Sequence, residues 1–353
     1  QGFQIGARLL PWHDSCTSPQ RGGKALLRNS ASVELQESPR AHNVIVAVEA
    51  YRLSKLFGSG KGVLGIDLRV HRGEIFGLLG PVGSGKSTML KLLSGEVRPS
   101  SGSMAVLGSV RIWDNSRLRR KIGVVREGAA HFEALTGYQN AWFFARVYGV
   151  PADQASSRLE ELFRWAGLDS QKHRPVRYYS YGMKRNLALI EALAHRPELL
   201  LLDEPSSGLD YSSVLAWREK LVELSNSGVT IILATSDVDD AERFCHRIAF
   251  VHRGRIVGSG RPQDLLEQTR GSYEIVLTLR YPMDRQMITG IDGVEAVVAE
   301  GDTLKVLAAG NKKVLPEVVA AIVWGGGSIL SLEVRQPNLG DAFLKITGST
   351  IGG

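Results

Sequence analysis

The chain has 353 residues, 43 Lys and Arg against 36 Asp and Glu, 43% hydrophobic residues and two cysteines, which supports one large globular domain plus a small one. Cys16 and Cys245 stand far apart in no ligand spacing, so a disulfide scaffold and a cysteine zinc site are excluded and a reducing compartment is indicated. The longest apolar stretch, Val318 to Leu332, is broken by Gly325-Gly326-Gly327 and is too short to span a bilayer, and the net charge of +7 comes from scattered basic residues rather than a nucleic-acid footprint.

Residues 1 to about 43 are rich in Ser, Arg, Gly, Gln and Pro without helix or strand period, and are expected to form a flexible extension. The composition faintly resembles a transit peptide, but a processed end is the preferred reading. From Val44 to about Arg270 the runs VIVAVEAY, GEIFGLLG, KIGVV, ELLLLDEP, TIILATS and RIAFVHRG, with helix-length segments between several of them, predict an α/β domain with buried parallel strands. In such sheets ligands bind beyond the carboxyl ends of the strands, so the polar residues that end these runs are the candidates for chemistry.

The first candidate is Gly80-Pro81-Val82-Gly83-Ser84-Gly85-Lys86-Ser87-Thr88, placed between the strand EIFGLL and the helical pattern TMLKLLSG. Its glycines let successive N–H groups wrap phosphates, the helix end adds its positive dipole, Lys86 reaches the β- and γ-phosphates, and the Ser87 hydroxyl suits Mg²⁺. The second is Leu199-Leu200-Leu201-Leu202-Asp203-Glu204-Pro205, an apolar strand ending in two carboxylates. Asp203 is expected to hold Mg²⁺ through its water shell and Glu204 to accept the proton of an attacking water. Together they indicate a nucleoside triphosphate hydrolase. His131, His173, His195 and His246 fall in no pairwise ligand spacing and are read as surface or structural.

Between these motifs lies Tyr179-Ser180-Tyr181-Gly182-Met183-Lys184-Arg185, opening the helix NLALIEALAH, and after them comes Ser207-Gly208-Leu209-Asp210. In order and spacing the four resemble the nucleotide-binding subunits of ATP-binding cassette (ABC) transporters, over residues from about 44 to 268. YGMKRNLALIEAL, DVDDAERFCHRIAFVHRGRIVGSG and the closing VRQPNLGDAFLKITG are similar to the daunorubicin-resistance and nodulation-factor export type. The resemblance implies an ABC-type P-loop ATPase domain with a helical signature subdomain over 44–270. It also implies a peripheral place on the cytoplasmic face of a membrane and a separate integral-membrane permease chain. It further implies a homodimer, or a heterodimer with a second ATPase, in which two ATP molecules are sandwiched head to tail. Ser180 and the Gly182 N–H then contact the γ-phosphate of ATP on the partner, and Phe57 stacks on adenine. The transported substrate is chosen by the permease.

Three positions depart from that family. Its glutamine beside Mg²⁺ and the attacking water is Glu127, a possible metal ligand that adds like charge near Asp203 and Glu204. Its switch histidine is Ser236, which loses a charge-assisted contact of about 1.5–3 kcal/mol and predicts a step about ten- to a hundredfold slower. One signature glycine is Tyr181. Two readings stay open: an ATPase powering export, and an ATP-binding regulatory or structural partner that hydrolyses weakly.

From Gly271 the pattern changes. YEIVLTL is a strand, DRQMITGI a short helix, VEAVVAEGDTLKVLAA a hairpin turning at Gly301-Asp302, KKVLPEVVAAIVW a helix and SILSLEVR a strand. The order β-α-β-β-α-β over 271–353 predicts a small ferredoxin-like α+β domain.

Overall fold

The computed structural model describes residues 45–351 except positions 59, 129, 270, 311 and 312. The expected extension at 1–43, with Cys16, lies outside the described residues. In chain order the strands are β1 (Val46–Leu56), β2 (Gly62–His71), β3 (Ile75–Leu79), β4 (Ser101–Val106), β5 (Ile122–Val125), β6 (Leu199–Asp203), β7 (Thr230–Thr235), β8 (Arg247–His252), β9 (Arg255–Gly260), β10 (Ser272–Leu279), β11 (Val294–Glu300), β12 (Thr303–Ala309) and β13 (Ile329–Arg335).

One six-stranded sheet runs β5-β6-β7-β3-β8-β9, with every neighbouring pair parallel except β8 with β9. Its central strands are apolar on both faces because helices cover both. Every residue of β3 and β7 is buried, and two hydrophobic clusters meet across the sheet. VIVAVEAY, read above as one of the buried parallel strands, instead joins a three-stranded antiparallel sheet in the order β2-β1-β4. The reason is visible in β1 itself: Val48, Ala50 and Leu53 are buried while Glu49, Tyr51 and Arg52 face out, the one-sided pattern of an antiparallel strand.

The strands β10 to β13 form a separate antiparallel sheet in the order β11-β12-β10-β13. Helix Val314–Trp324 lays Val314, Val318 and Ile322 onto Ile275, Leu277, Leu304 and Val306, making a third cluster. Read along the chain, this is the fourth-first-third-second strand order that the β-α-β-β-α-β pattern requires. The hairpin turns between Glu300 and Thr303, as the Gly301-Asp302 pair predicts.

A final helix, Leu339–Thr347, was not anticipated as an element. Asn338 caps it, with a reciprocal bond from Asp341, and Gly348 closes it in the left-handed region at φ 68. Its apolar face does not join the third cluster. Leu339, Ala342 and Phe343 pack into the core beneath the six-stranded sheet, where the Phe343 ring meets Phe250 edge-on at 5.5 Å.

Candidate active site

Four adjacent strands of the large sheet deliver their following residues to one edge. β5 leads to Glu127, β6 to Asp203 and Glu204, β7 to Ser236 and β3 to the glycine-rich loop. Between them lies a cleft of about 610 Å³, lined by Lys86, Ser87, Glu127, Glu204 and Ser236, with Val82 and Gly83 at its mouth.

The loop leaves β3 at Gly80, where an added Cβ would come within 2.1 Å of the Val251 carbonyl, so no side chain fits. Gly83 (φ 79) and Gly85 (φ 114) take backbone angles that L side chains avoid, and Gly85 then begins helix Lys86–Leu93 without a side-chain cap. The helix therefore presents free N–H groups and its positive end to the cleft. Lys86 curls back over the loop, its Nζ donating to the carbonyls of Gly80 (2.6 Å) and Pro81 (3.1 Å). Buried Ser84 Oγ has no hydrogen-bond partner. Thr88 is the third residue of the same helix, within its first turn.

Glu204 occupies the left-handed region at φ 44, where a residue with a side chain is strained. That turn at the end of β6 aims its carboxylate back across the cleft. One oxygen pairs with Lys86 Nζ at 3.3 Å; the other accepts from the Ser236 N–H at 3.0 Å and hydroxyl at 3.2 Å. Asp203 accepts a hydrogen bond from Ser87 Oγ at 3.1 Å. Burial pushes the Asp203 carboxyl above its ordinary range, and the nearby charges of Glu204 and Glu127 push the same way. A divalent cation beside Asp203 would relieve that penalty. Ser87, Asp203 and Glu127 are hard oxygen donors, the set that suits Mg²⁺ shared with phosphates, so the residues present fit both a triphosphate and this ion.

Arg185 is a site residue that motif reading missed. It is buried in the helix Tyr181–Leu193, and its guanidinium donates to the Glu204 carbonyl, to Arg126 O at 2.5 Å and to Glu127 O at 3.1 Å. One cation thus ties the Glu127 loop, the Glu204 turn and the Ser180 helix together. The only signal was its place five residues after Ser180, which spacing alone does not convert into a role.

Ser180 caps this helix, its Oγ accepting from the Met183 N–H at 3.2 Å. Neither Ser180 nor Gly182 lines the cleft that holds Lys86 and Glu204. Gly182 instead faces Leu209 and Ser213, each 3.7 Å from where a Cβ would stand. The Tyr181 ring lies over Gly208, so close that a Cβ there would be 2.9 Å from it. Phe57 is exposed at the tip of the β1–β2 hairpin with Lys55 Nζ 5.5 Å above its ring, and it does not line the cleft. The hairpin touches the loop through Val63 and Gly62, which crowd Gly85.

Two of the histidines take structural places. His131 is buried between Glu191 and the Lys184 carbonyl, both at 3.1 Å, and His246 Nδ1 accepts from the Ile75 N–H at 3.0 Å. Among the described residues no group of three His, Cys, Asp or Glu side chains is arranged to hold a metal alone, so a cation here would draw ligands from phosphate as well.

With this geometry in hand, residues 63–207 match the ABC transporter family. The linearmycin resistance ATP-binding protein LnrL of Bacillus subtilis is 32% identical over 308 residues, covering 86% of this chain and 99% of that protein. A Nod factor export ATP-binding protein I of Rhizobium etli is 34% identical over 306 residues, 86% of this chain and 94% of that one. The daunorubicin resistance ATP-binding protein DrrA3 of Streptomyces coeruleorubidus is 32% identical over 296 residues, 83% and 93%. Among solved structures, an ATP-binding subunit of an ABC transporter superposes with TM-score 0.58 and 28% identity over 63% of this chain and 92% of that one. The cbiO1 subunit of Clostridium perfringens, part of the transporter complex cbiONQ, gives 0.59 and 29% over 64% and 92%. Motifs, cleft and relatives agree: this chain belongs to the ATP-binding subunits of the ABC transporter family, whose members are ATPases.

Proposed function

We propose that the chain hydrolyses ATP with Mg²⁺ to power export of a substrate through a separate integral-membrane permease, on the cytoplasmic face of that membrane. The observation that carries this reading is the convergence of Lys86, Ser87 and Glu204 on one cleft, with Asp203 bonded to Ser87 at its edge. Mg²⁺ held near Ser87, Asp203 and Glu127 would neutralise charge developing on the transferred phosphoryl group. Glu204, fixed by Ser236 and Lys86, stands ready to take the proton of an attacking water. When phosphate draws Lys86 away, the carboxylate loses its ion-pair partner and is left free to face the attacking water.

Ser180 and Gly182 lie outside this cleft, and in the proposed head-to-tail dimer they serve the ATP on the partner subunit, whether an identical chain or a second ABC ATPase. The segment His131–Gly149 is the proposed permease seat. Phe132, Leu135 and Phe143 are exposed there, with the Phe132 and Phe143 rings 5.2 Å apart, beside a groove lined by Arg126, Phe144 and Tyr148. Residues 44–270 are taken as the ATPase domain and 271–353 as an appended domain whose last helix reaches back to it.

The second reading, a weakly hydrolysing partner, draws on Glu127, Ser236 and Tyr181. Copurification tests both. The full chain expressed with its neighbouring genes is expected to bring down a membrane-spanning chain and to hydrolyse ATP in that complex. Copurification without ATP turnover favours the second reading, and absence of any membrane chain counts against export.

A further inference from the structure

A second cavity, of about 550 Å³, lies at the amino ends of β5 and β6, the opposite ends of these strands from the nucleotide cleft. Arg120 lies just before β5, Arg196 just before β6, and Arg158 projects from the second turn of helix Ala152–Trp165; all three line it. Glu127 and Asp203 stand at the carboxyl ends of these same two strands, so the two sites are distinct. No Asp or Glu lines this cavity.

The arginines are poorly compensated. Among the described residues neither Arg120 nor Arg196 has a carboxylate partner. Arg120 lies against bare backbone, its guanidinium carbon 3.1 Å from where a Cβ on Gly149 would stand. Arg158 reaches only Glu161, at 3.4 Å, and its buried Nε has no partner. Burial lowers the Arg158 pKa, the Glu161 contact opposes this and the Arg196 charge lowers it further. Arg196 itself holds φ 54, a strained angle for a residue with a side chain.

The rest of the lining fits the same ligand. Pro151 begins the Ala152–Trp165 helix without a side-chain hydrogen bond, leaving N–H groups of its first turn free. One wall is flat and aromatic, the Tyr148 ring stacked on His195 at 3.9 Å with 5° between planes. Burial brings the His195 pKa down to about 4, so this wall is neutral at physiological pH.

Arg196 and Arg158 repel each other across a lining that also holds Arg120 and no carboxylate, and an anion between them removes the repulsion. We propose that this cavity is a binding site for a phosphate group, either free or carried on a lipid headgroup. Planar guanidinium forks match phosphate oxygens, and the helix end adds unpaired N–H donors. Tyr148 also lines the groove proposed for the permease, which would bring a membrane-borne phosphate within reach; only that source rests on the transport reading.

The intact chain, its nucleotide site filled with ADP, is titrated with inorganic phosphate and separately sedimented with vesicles of phosphatidylcholine, alone or mixed with phosphatidylglycerol. The variant is Arg120→Gln with Arg196→Gly; the glycine also relieves the strained backbone, so melting at or above the parent temperature separates lost binding from lost folding. The parent is expected to bind phosphate or the mixed vesicles, and the variant to bind at least about tenfold more weakly with its ADP affinity unchanged. Phosphate alone identifies a soluble ligand, and the mixed vesicles alone a lipid. Equal binding by parent and variant, or binding of neither probe to the parent, overturns the proposal without touching the ATPase reading.

Discussion

Ser236 directs both its backbone N–H and its hydroxyl at a single oxygen of Glu204, at 3.0 and 3.2 Å. Strand register produces this contact. Asp203 on β6 stands beside Ala234 on β7, so the residues that follow each pair leave the sheet side by side. A residue that departs from the family pattern, and that looked in sequence like a lost phosphate contact, is therefore built into the holding of the proposed base.

Ser236→Ala removes one of the two donors to Glu204 and leaves the backbone N–H. Turnover is expected to fall by up to about tenfold with ATP affinity little changed, because the loop and Lys86 are untouched. Steady-state ATPase kinetics beside equilibrium nucleotide binding measure the two effects separately. A loss confined to affinity would place Ser236 on the nucleotide instead.

Glu204→Gln takes away the proposed base and also the charge that would compete with phosphate for Lys86, 3.3 Å away. ATP hydrolysis is expected to drop by at least about a hundredfold while ATP binding holds or tightens. If the head-to-tail dimer forms, the variant accumulates in it, and light scattering or sedimentation with ATP and Mg²⁺ reads the shift in mass.

The phosphate loop and the Asp-Glu strand were legible because each needs particular residue types at fixed spacing, in a strand-to-helix or strand-end context that periodicity also reveals. The position of β1 was not. An apolar run such as VIVAVEAY reads alike in a parallel or an antiparallel sheet until its partners are known. Arg185 and the Ser236–Glu204 contact depend on loops brought together from distant parts of the chain, and spacing carries no trace of them. The last helix is different: Leu339, Ala342, Phe343 and Ile346 follow helical spacing behind the capping Asn338, so its existence was readable. Its partner in the core was not.

Tyr181→Gly tests the remaining signature change. The ring covers Gly208, and a guanidinium carbon of Arg185 lies 5.9 Å from its centroid. Removing it uncovers the surface that, in the proposed dimer, meets the partner's ATP. ATP-driven dimerisation of the Glu204→Gln background is expected to strengthen, measured by sedimentation; weakening would show that the ring itself makes the dimer contact.

Asp341 links the last helix to the four-stranded sheet. It is buried, accepts from the Asn338 N–H at 2.7 Å, and lies near buried Glu274. Burial first, opposed by the Asn338 bond and assisted by the Glu274 charge, brings its carboxyl up to about 6. The folded state then binds more protons than the unfolded one between about pH 4 and pH 6, so Asp341 makes stability fall as pH rises through that window and stay low above it. Asp341→Asn keeps an acceptor for the cap without the charge. It is expected to be more stable than the parent at pH 8, by on the order of 1–3 kcal/mol, and to lose that advantage near pH 4. Urea unfolding across this range measures it; a variant less stable at pH 8 would show that attraction to Arg335 outweighs burial.

The reading of slow hydrolysis is decided by Ser236→His, alone and with Glu127→Gln. In the proposed site nucleotide is held by the loop from Gly80 to Thr88, Lys86 included, which neither change touches, whereas positions 127 and 236 line the cleft on either side of Glu204. A histidine keeps the backbone N–H that holds Glu204 and adds a longer donor that reaches toward a γ-phosphate. Glutamine removes one of the charges that raise the Asp203 pKa. Both changes act on one reacting centre, so turnover is expected to rise by about tenfold for the pair, non-additively and with little change in apparent ATP affinity. ATPase rates of the assembled complex supply the measurement. Should both variants run slower than the parent, the Ser236 hydroxyl on Glu204 is the better catalytic arrangement for this chain, and weak hydrolysis no longer has residues 127 and 236 to explain it.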